Sequence, residues 1–232
     1  MSLVLLITEI VFAVFGFLFG VTCSVLSINR RHSLAFWAKL IASFSFLMIG
    51  FLNAFRCSDG IYAVTVLAGL FYGFAGDVFR ASPAVLAGRP LLYKAAGALC
   101  FVMGHVLYMA AMIGNFGISF WAFLAAAVLL AGVILWTRAE KVNAGPLYLP
   151  GLIYMVFACM MAGTAVHVLI RHYSTSSLLF AVGALLFVLS DVILILHSYG
   201  RNKKSLLLHY GVLGLYYPAQ ALIAMSMFFF VP

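Results

Sequence analysis

Long apolar runs alternate with short polar breaks along the whole chain. Eight runs stand out, at about 4–28, 34–55, 61–79, 92–113, 118–136, 149–170, 178–199 and 206–231. A helix needs roughly 20 apolar residues to cross a bilayer, so each run predicts one transmembrane helix. The fold expected is an all-α, polytopic membrane protein with eight transmembrane helices. The breaks between runs, such as Asn29–Ser33, Asn115–Gly117 and Arg171–Ser177, are too short to hold a folded extramembrane domain. Residues 1–232 therefore read as a single integral-membrane domain whose function must lie between helices. The first run has no basic stretch ahead of it and is long enough to span, so it reads as a helix rather than a cleaved signal.

Polar positions inside the runs change the picture most. Gly183 to Asp191 sets a carboxylate deep in the seventh run, eight residues after a glycine. Gly69 to Asp77 repeats that spacing, and Gly97 to His105 repeats it with histidine. A charged side chain at bilayer depth costs at least roughly 2.5–3.5 kcal/mol, so it needs a partner, a proton or a task. The pattern predicts that these three segments bring their polar ends together inside the membrane.

Composition agrees with a lipid solvent. The chain is 66% hydrophobic and 8% charged, with a mean hydropathy of +1.20, whereas soluble domains carry about 25% charge. A net charge of +8 would suit nucleic acid. The basic residues sit singly or in pairs between apolar runs, however, as in the loops of membrane proteins, so no nucleic acid is expected. Cys23, Cys57, Cys100 and Cys159 show no paired spacing, which argues against a disulfide framework or a zinc site. No three of the six histidines have zinc-ligand spacing, so no metal and no cofactor is expected.

Charge also orients the bundle. The first, third, fifth and seventh breaks and their flanks carry Arg30, Arg31, Lys39, Arg80, Arg89, Lys94, Arg138, Lys141, Arg201, Lys203 and Lys204, while the even breaks carry only Arg56 and Arg171. The positive-inside rule then makes the odd loops cytoplasmic and puts both termini on the non-cytoplasmic side. At about 1.5 Å per residue, Lys39, Asp191, His105 and Tyr216 lie roughly 12–18 Å in from the nearest basic residue of that side, and Asp77 about 5 Å from Arg80. A cavity opening on that side would collect them. Tyr108 shares a helix face with His105, as Gln220 does with Tyr216.

Each of these residues has an ordinary reading beside the chemical one. An Asp that neutralises Lys39 would simply hold helices together. Lys39 itself reads either as an interfacial anchor, its stem on apolar surface, or as a counter-ion. His105 reads as a hydrogen-bonded core histidine or as part of a site. His32, His167, His172, His197 and His209 lie near span ends and read as interfacial, and Glu9 as reaching the outer interface. Most aromatic residues read as lipid-facing or belt residues. Gly69, Gly97 and Gly183 suit close helix packing. The chemical reading takes Asp77 and Asp191 together: burial favours the neutral form of a carboxyl, and a nearby second carboxylate favours it further in one of the two. Such a pair supplies an acid and an anion at once.

The constellation resembles the YhhN-like lysoplasmalogenase family of multi-span membrane hydrolases. The matching pieces are Lys39, Gly69-Leu70-Phe71, Gly76-Asp77-Val78, Gly104-His105-Val106-Leu107-Tyr108, Tyr154, Met161, the segment from Gly183 to Asp191, and Tyr216-Tyr217-Pro218-Ala219-Gln220. Leu40 departs from a family tendency for Pro after the Lys. The resemblance implies hydrolysis of the sn-1 vinyl ether of lysoplasmalogens to a fatty aldehyde and glycerophosphoethanolamine or glycerophosphocholine. The reaction protonates the outer alkene carbon and passes through an oxocarbenium ion, a demand met by paired carboxylates in glycosidases. Asp77 and Asp191 would be catalytic, one the acid and the other the stabilising anion or water-activating base; such a pair titrates jointly, so the roles stay open, and depth favours Asp191 as the acid. His105, Tyr108, Tyr216 and Gln220 would orient water or glycerol oxygens, and Lys39 with Arg80 would meet the phosphate. The implied partners are a lysophospholipid substrate and membrane lipid, in a monomer or small homo-oligomer with no protein partner. The expected location is the bacterial inner membrane. Two rival functions use the same residues. A proton-coupled carrier or lipid transporter would employ Asp, His and Lys as relays. An intramembrane aspartyl protease would want Tyr-Asp and Gly-any-Gly-Asp, which Ser190 and Phe74 spoil.

Overall fold

A computed structural model describes residues 3–84, 89–201 and 205–231. Lys203, Lys204 and part of the third break lie outside the described residues. The elements are α1 (Leu3–Ile28), α2 (His32–Ala54), α3 (Gly60–Ala81), α4 (Pro90–Phe116), α5 (Phe120–Ala139), α6 (Tyr148–Arg171), α7 (Thr175–Tyr199) and α8 (Leu206–Ser226), with short 3-10 turns after α3, before α6 and after α8. All eight helices are long and apolar enough to cross a membrane.

Helix ends follow backbone chemistry rather than the limits of the apolar runs. Ser174 begins α7 with a reciprocal cap: its hydroxyl accepts from the Ser177 N–H, and the Ser177 hydroxyl accepts from the Ser174 N–H. The helix therefore starts three residues before the apolar run. Asp59 caps α3 through the Tyr62 N–H at 2.8 Å. Pro90 opens α4, where its missing N–H costs nothing. That helix runs on to Phe116 and stops at Gly117, whose φ of +77° suits only a residue without a Cβ.

Seven helices close into a ring. Neighbours pack in the order α1, α2, α3, α4, α6, α7, α8 and back to α1, and α8 leans inward to touch α2 and α3 as well. The remaining helix, α5, packs on the outside, chiefly along α6. Consequently α1 and α5 are the least buried of the eight. Glycines set the close approaches expected of them. A Cβ at Gly183 would stand 2.8 Å from the Ala219 carbonyl oxygen and from Ile223 on α8. On α3, Gly69, Gly73 and Gly76 form one stripe that admits Tyr108, Gln220 and Phe101.

Two sequence readings need correction here. Glu9 does not reach the interface. It is buried, and its carboxylate accepts from Arg56 at 3.0 Å, while the Arg56 guanidinium also lies 4.0 Å over the Phe228 ring. In lipid a lone carboxylate is costly, so the one basic residue of the α2–α3 connection turns in to meet it. Many aromatics also face inward: Phe46, Phe101, Phe180, Phe187, Tyr62, Tyr108, Tyr216 and Tyr217 are all buried. Their rings meet edge to face in the bundle interior, for example Phe187 and Tyr216 at 5.3 Å.

The glycine contacts make a prediction. Gly183→Ala forces Cβ against backbone on α8 and should lower the unfolding temperature in detergent, by the equivalent of about 1–3 kcal/mol. Gly132→Ala on α5 meets nothing within 4 Å, and the same measurement should show it unchanged or slightly stabilised. Equal behaviour of the two variants would mean that the α7–α8 contact is not close-packed.

Candidate functional site

Two cavities, one behind the other, lie at the end of the bundle formed by the first and seventh connections. The outer one is a vestibule of about 290 Å³ between α1, α2, α3, α7 and α8, with Lys39, Arg80, His32, His197 and His209 among its walls. The inner one is a chamber of about 40 Å³ that holds both aspartates. They share Lys39, Arg80, Leu194, Val212 and Leu213 as walls, so the vestibule leads into the chamber.

Asp77 comes from the last turns of α3, where the glycine stripe brings the helix close to α4 and α8. Its Oδ1 pairs with Lys39 Nζ on α2 at 2.9 Å, with the Lys39 side chain 15% and that of Asp77 3% exposed. Its Oδ2 accepts from Ser43 Oγ at 2.7 Å. Ser43 lies one helical turn after Lys39 and also sits 2.9 Å from the Lys39 carbonyl oxygen. The Tyr217 hydroxyl donates to that same carbonyl at 3.3 Å. Asp77 is thus an ion-paired carboxylate held in place from α2.

Asp191 is buried on α7 and has a different partner. Tyr154, from α6, donates its hydroxyl to Asp191 Oδ2 at 2.8 Å. His105 Nε2 on α4 lies 3.4 Å from the same Tyr154 hydroxyl. No cation pairs with Asp191 among the described residues. Ser190, its chain neighbour, donates to the Val212 carbonyl at 2.8 Å and ties α7 to α8 at this level.

The chamber has an aromatic floor. Phe101, Phe187 and Tyr216 line it, and each pair of rings meets edge to face at 5.3–6.2 Å. Beneath that floor, Tyr108 donates to Gln220 Oε1 at 2.8 Å, and Gln220 Nε2 donates to the Tyr216 hydroxyl at 3.3 Å.

The eight residues singled out from the sequence therefore divide. Asp77, Asp191, Lys39, Arg80 and Tyr216 line the chamber. His105, Tyr108 and Gln220 do not; they reach it through Tyr154 and Tyr216. His105 and Tyr108 share a face but partner different helices, α6 and α8. The histidine reading at the span ends needs revision too. His197 and His209 turn towards each other, with ring nitrogens 3.3 Å apart, and line the vestibule. His209 Nε2 lies 3.1 Å from the Ser24 carbonyl oxygen, which fixes that nitrogen as the donor.

Sequence reasoning passed over Ser43 and gave Tyr154 no role. Ser43 carried a usable signal, since it stands four residues after an intramembrane Lys. Tyr154 carried one only through the family resemblance, where it is among the matching positions. Among the described residues no group of three or more His, Cys, Asp or Glu side chains is placed to hold a metal ion.

The arrangement offers a carboxylate paired with a lysine, a second carboxyl paired with a phenol, and space between them. One water needs about 10–15 Å³ of such volume, so the chamber has room for water or for a few substrate atoms.

Removing one member of the buried pair tests its electrostatics. Lys39→Met leaves Asp77 uncompensated and should cost about 3 kcal/mol of stability in detergent unfolding. Adding Asp77→Asn to that variant should recover most of the loss. If Lys39→Met unfolds like the unaltered protein, the ion pair is not what holds α2 against α3.

Comparison with known proteins bears on the chemistry. A model of the YhhN family matches residues 35–227, from early α2 through α8. No curated protein and no solved structure matches the chain.

Proposed function

The chain belongs to the YhhN family, and on that premise we propose that it hydrolyses the sn-1 vinyl ether of lysoplasmalogens. The products are a fatty aldehyde and glycerophosphoethanolamine or glycerophosphocholine. The observation that carries this reading is that Asp77 and Asp191 line one chamber with unlike partners, a cation and a phenol. Acid cleavage of a vinyl ether asks for that division of labour, with one carboxyl giving a proton while a nearby anion steadies the cation that results.

In the proposed mechanism Asp191 is the acid. Its proton goes to the outer alkene carbon, and the alkene π electrons form the new C–H bond. The carbon attached to oxygen becomes an oxocarbenium ion. Asp77, paired with Lys39, stabilises that charge and accepts a proton from the water that attacks it. The resulting hemiacetal collapses: its hydroxyl proton returns to the Asp191 carboxylate, and the C–O bond to glycerol breaks. The departing glycerol oxygen takes the proton held by Asp77. One water is consumed and both carboxyls end as they began.

The supporting residues follow from the geometry. Tyr154 orients Asp191, and His105 orients Tyr154. Tyr108 and Gln220 hold Tyr216 in the floor. The multi-span architecture suits a lipid substrate; the inner bacterial membrane and a cytoplasmic vestibule belong to this proposal.

Purified protein given lysoplasmenylethanolamine should release fatty aldehyde, read by coupled reduction. Asp191→Asn and Asp77→Asn should each lower the rate by at least about a thousandfold, a loss typical of removing an acid or a charge-stabilising group. Aldehyde release that survives both substitutions would sink the mechanism. Tyr154→Phe removes only an orienting bond and should slow the reaction roughly tenfold. In deuterated water the aldehyde, trapped as its alcohol, should carry one deuterium at the carbon next to the carbonyl carbon. An unlabelled alcohol would show that no solvent-derived proton reaches the alkene.

A further inference from the structure

The vestibule carries a charge that the chemistry above does not use. Arg80 stands one helical turn beyond Asp77 on α3 and lines both cavities. Among the described residues its guanidinium has no ion-pair partner, the two ion pairs being Lys39 with Asp77 and Arg56 with Glu9. It is only half-buried, so part of the fork remains free for a ligand. Its stem is fixed: Gly97 on α4 leaves the space, and a Cβ there would stand 2.7 Å from Arg80 Cγ. Around it the vestibule presents Lys39, His32, His197 and His209, and no carboxylate. Such a wall attracts anions and repels cations.

We propose that the vestibule is a phosphate-ester subsite in which Arg80 grips the phosphodiester of a single-chain glycerophospholipid. The inference rests on the vinyl-ether reading for the identity of the lipid, but the site itself is argued from charge and spacing. In such a lipid a glycerol unit separates the sn-1 oxygen from the phosphate, a distance close to the rise of one helical turn, about 5.4 Å. Asp77 and Arg80 are three residues apart on one helix face, a rise of about 4.5 Å and so near that separation. A substrate held by its phosphate at Arg80 therefore presents its sn-1 oxygen at the chamber. A guanidinium suits the task because its planar fork binds phosphate oxygens in pairs, which an ammonium cannot do. Lys39 is committed to Asp77 and takes the secondary part, contrary to the equal share that its sequence position implied.

The test uses ligands that cannot react. Full-length protein in detergent would be titrated calorimetrically with a short-chain alkyl-ether lysophosphoethanolamine, with the matching alkylglycerol lacking phosphate, and with inorganic phosphate. The lysophospholipid should bind at least about tenfold more tightly than the alkylglycerol. Arg80→Gln should erase that preference, and Arg80→Lys should restore part of it, which guards against a variant that merely misfolds. Equal binding of the two lipids, or a preference that survives Arg80→Gln, would overturn the proposal. Arg80-dependent binding of inorganic phosphate without any preference for the lysophospholipid would overturn the lipid assignment. None of the probes contains a vinyl ether. A protein that shows the Arg80-dependent preference yet releases no aldehyde from lysoplasmenylethanolamine would refute the hydrolase and leave the phosphate subsite standing.

Discussion

A carboxylate taken into a medium without water must find compensation in the protein, and that constraint shapes this bundle more than any other. Five acidic residues occur in the chain. Asp59 caps a helix at a connection, and Glu140 lies just past α5. The other three lie within the spans, and each is answered by a specific donor. Two of those answers are ion pairs that tie separate elements together: Glu9 joins α1 to the α2–α3 connection, and Asp77 joins α3 to α2. Neither pair is a strong net stabiliser, since desolvation of both members offsets most of their attraction. Their effect is on specificity. A helix slipped by one turn would leave a charge unpaired in lipid, so the register of α1, α2 and α3 is fixed by the cost of the alternatives.

Within that frame the two site aspartates differ by their surroundings rather than by their own chemistry. Asp77 has a lysine, a serine hydroxyl and, beyond them, Tyr217. Lys39 and Ser43 both donate to its carboxylate, and Tyr217 braces the Lys39 backbone. Asp191 has a phenol as its direct partner, and Lys39, Arg80 and Asp77 share the chamber with it without pairing to it. The asymmetry rests on which helices flank each residue. Asp77 faces α2, the helix that carries Lys39. Asp191 faces α6, whose inward side carries Met155, Ala158, Cys159 and Ala162, all buried, and whose Tyr154 hydroxyl donates to it, while the other buried hydroxyl of α6, that of Thr164, bonds the Met160 carbonyl.

Much of this was legible from the run of apolar and polar positions. Eight runs correspond to eight helices because span length and hydropathy are properties of single segments, set by the thickness of the bilayer. The three glycines at matched spacing were legible for a similar reason, since close packing needs a small residue wherever it occurs. Pairing was less so. That Glu9 would meet Arg56, or that His197 and His209 would turn inward, depends on which helix faces which. A sequence states the depth of a residue through its distance from the span ends but not its azimuth on the helix. Ser43 and Tyr154 went unassigned for that reason: a hydroxyl in a span has many partners within reach, commonly a carbonyl one turn back. Only the packing of α3 against α2 and of α6 against α7 selects the carboxylates.

The division into vestibule and chamber separates two demands that conflict in one space. Recognition of a charged headgroup calls for access and for positive charge, whereas proton donation from a carboxyl calls for exclusion of water and for few cations. Arg80, one turn from Asp77, stands at the wall between the two cavities and lines both. The chamber's small volume reinforces the separation. At about 40 Å³ it admits the reacting atoms and a water but not a hydrated headgroup, so polarity is sorted at the entrance. The two cavities draw on overlapping helices: α1, α2, α3, α7 and α8 wall the entrance, while α2 and α6 supply the side chains that hold Asp77 on α3 and Asp191 on α7.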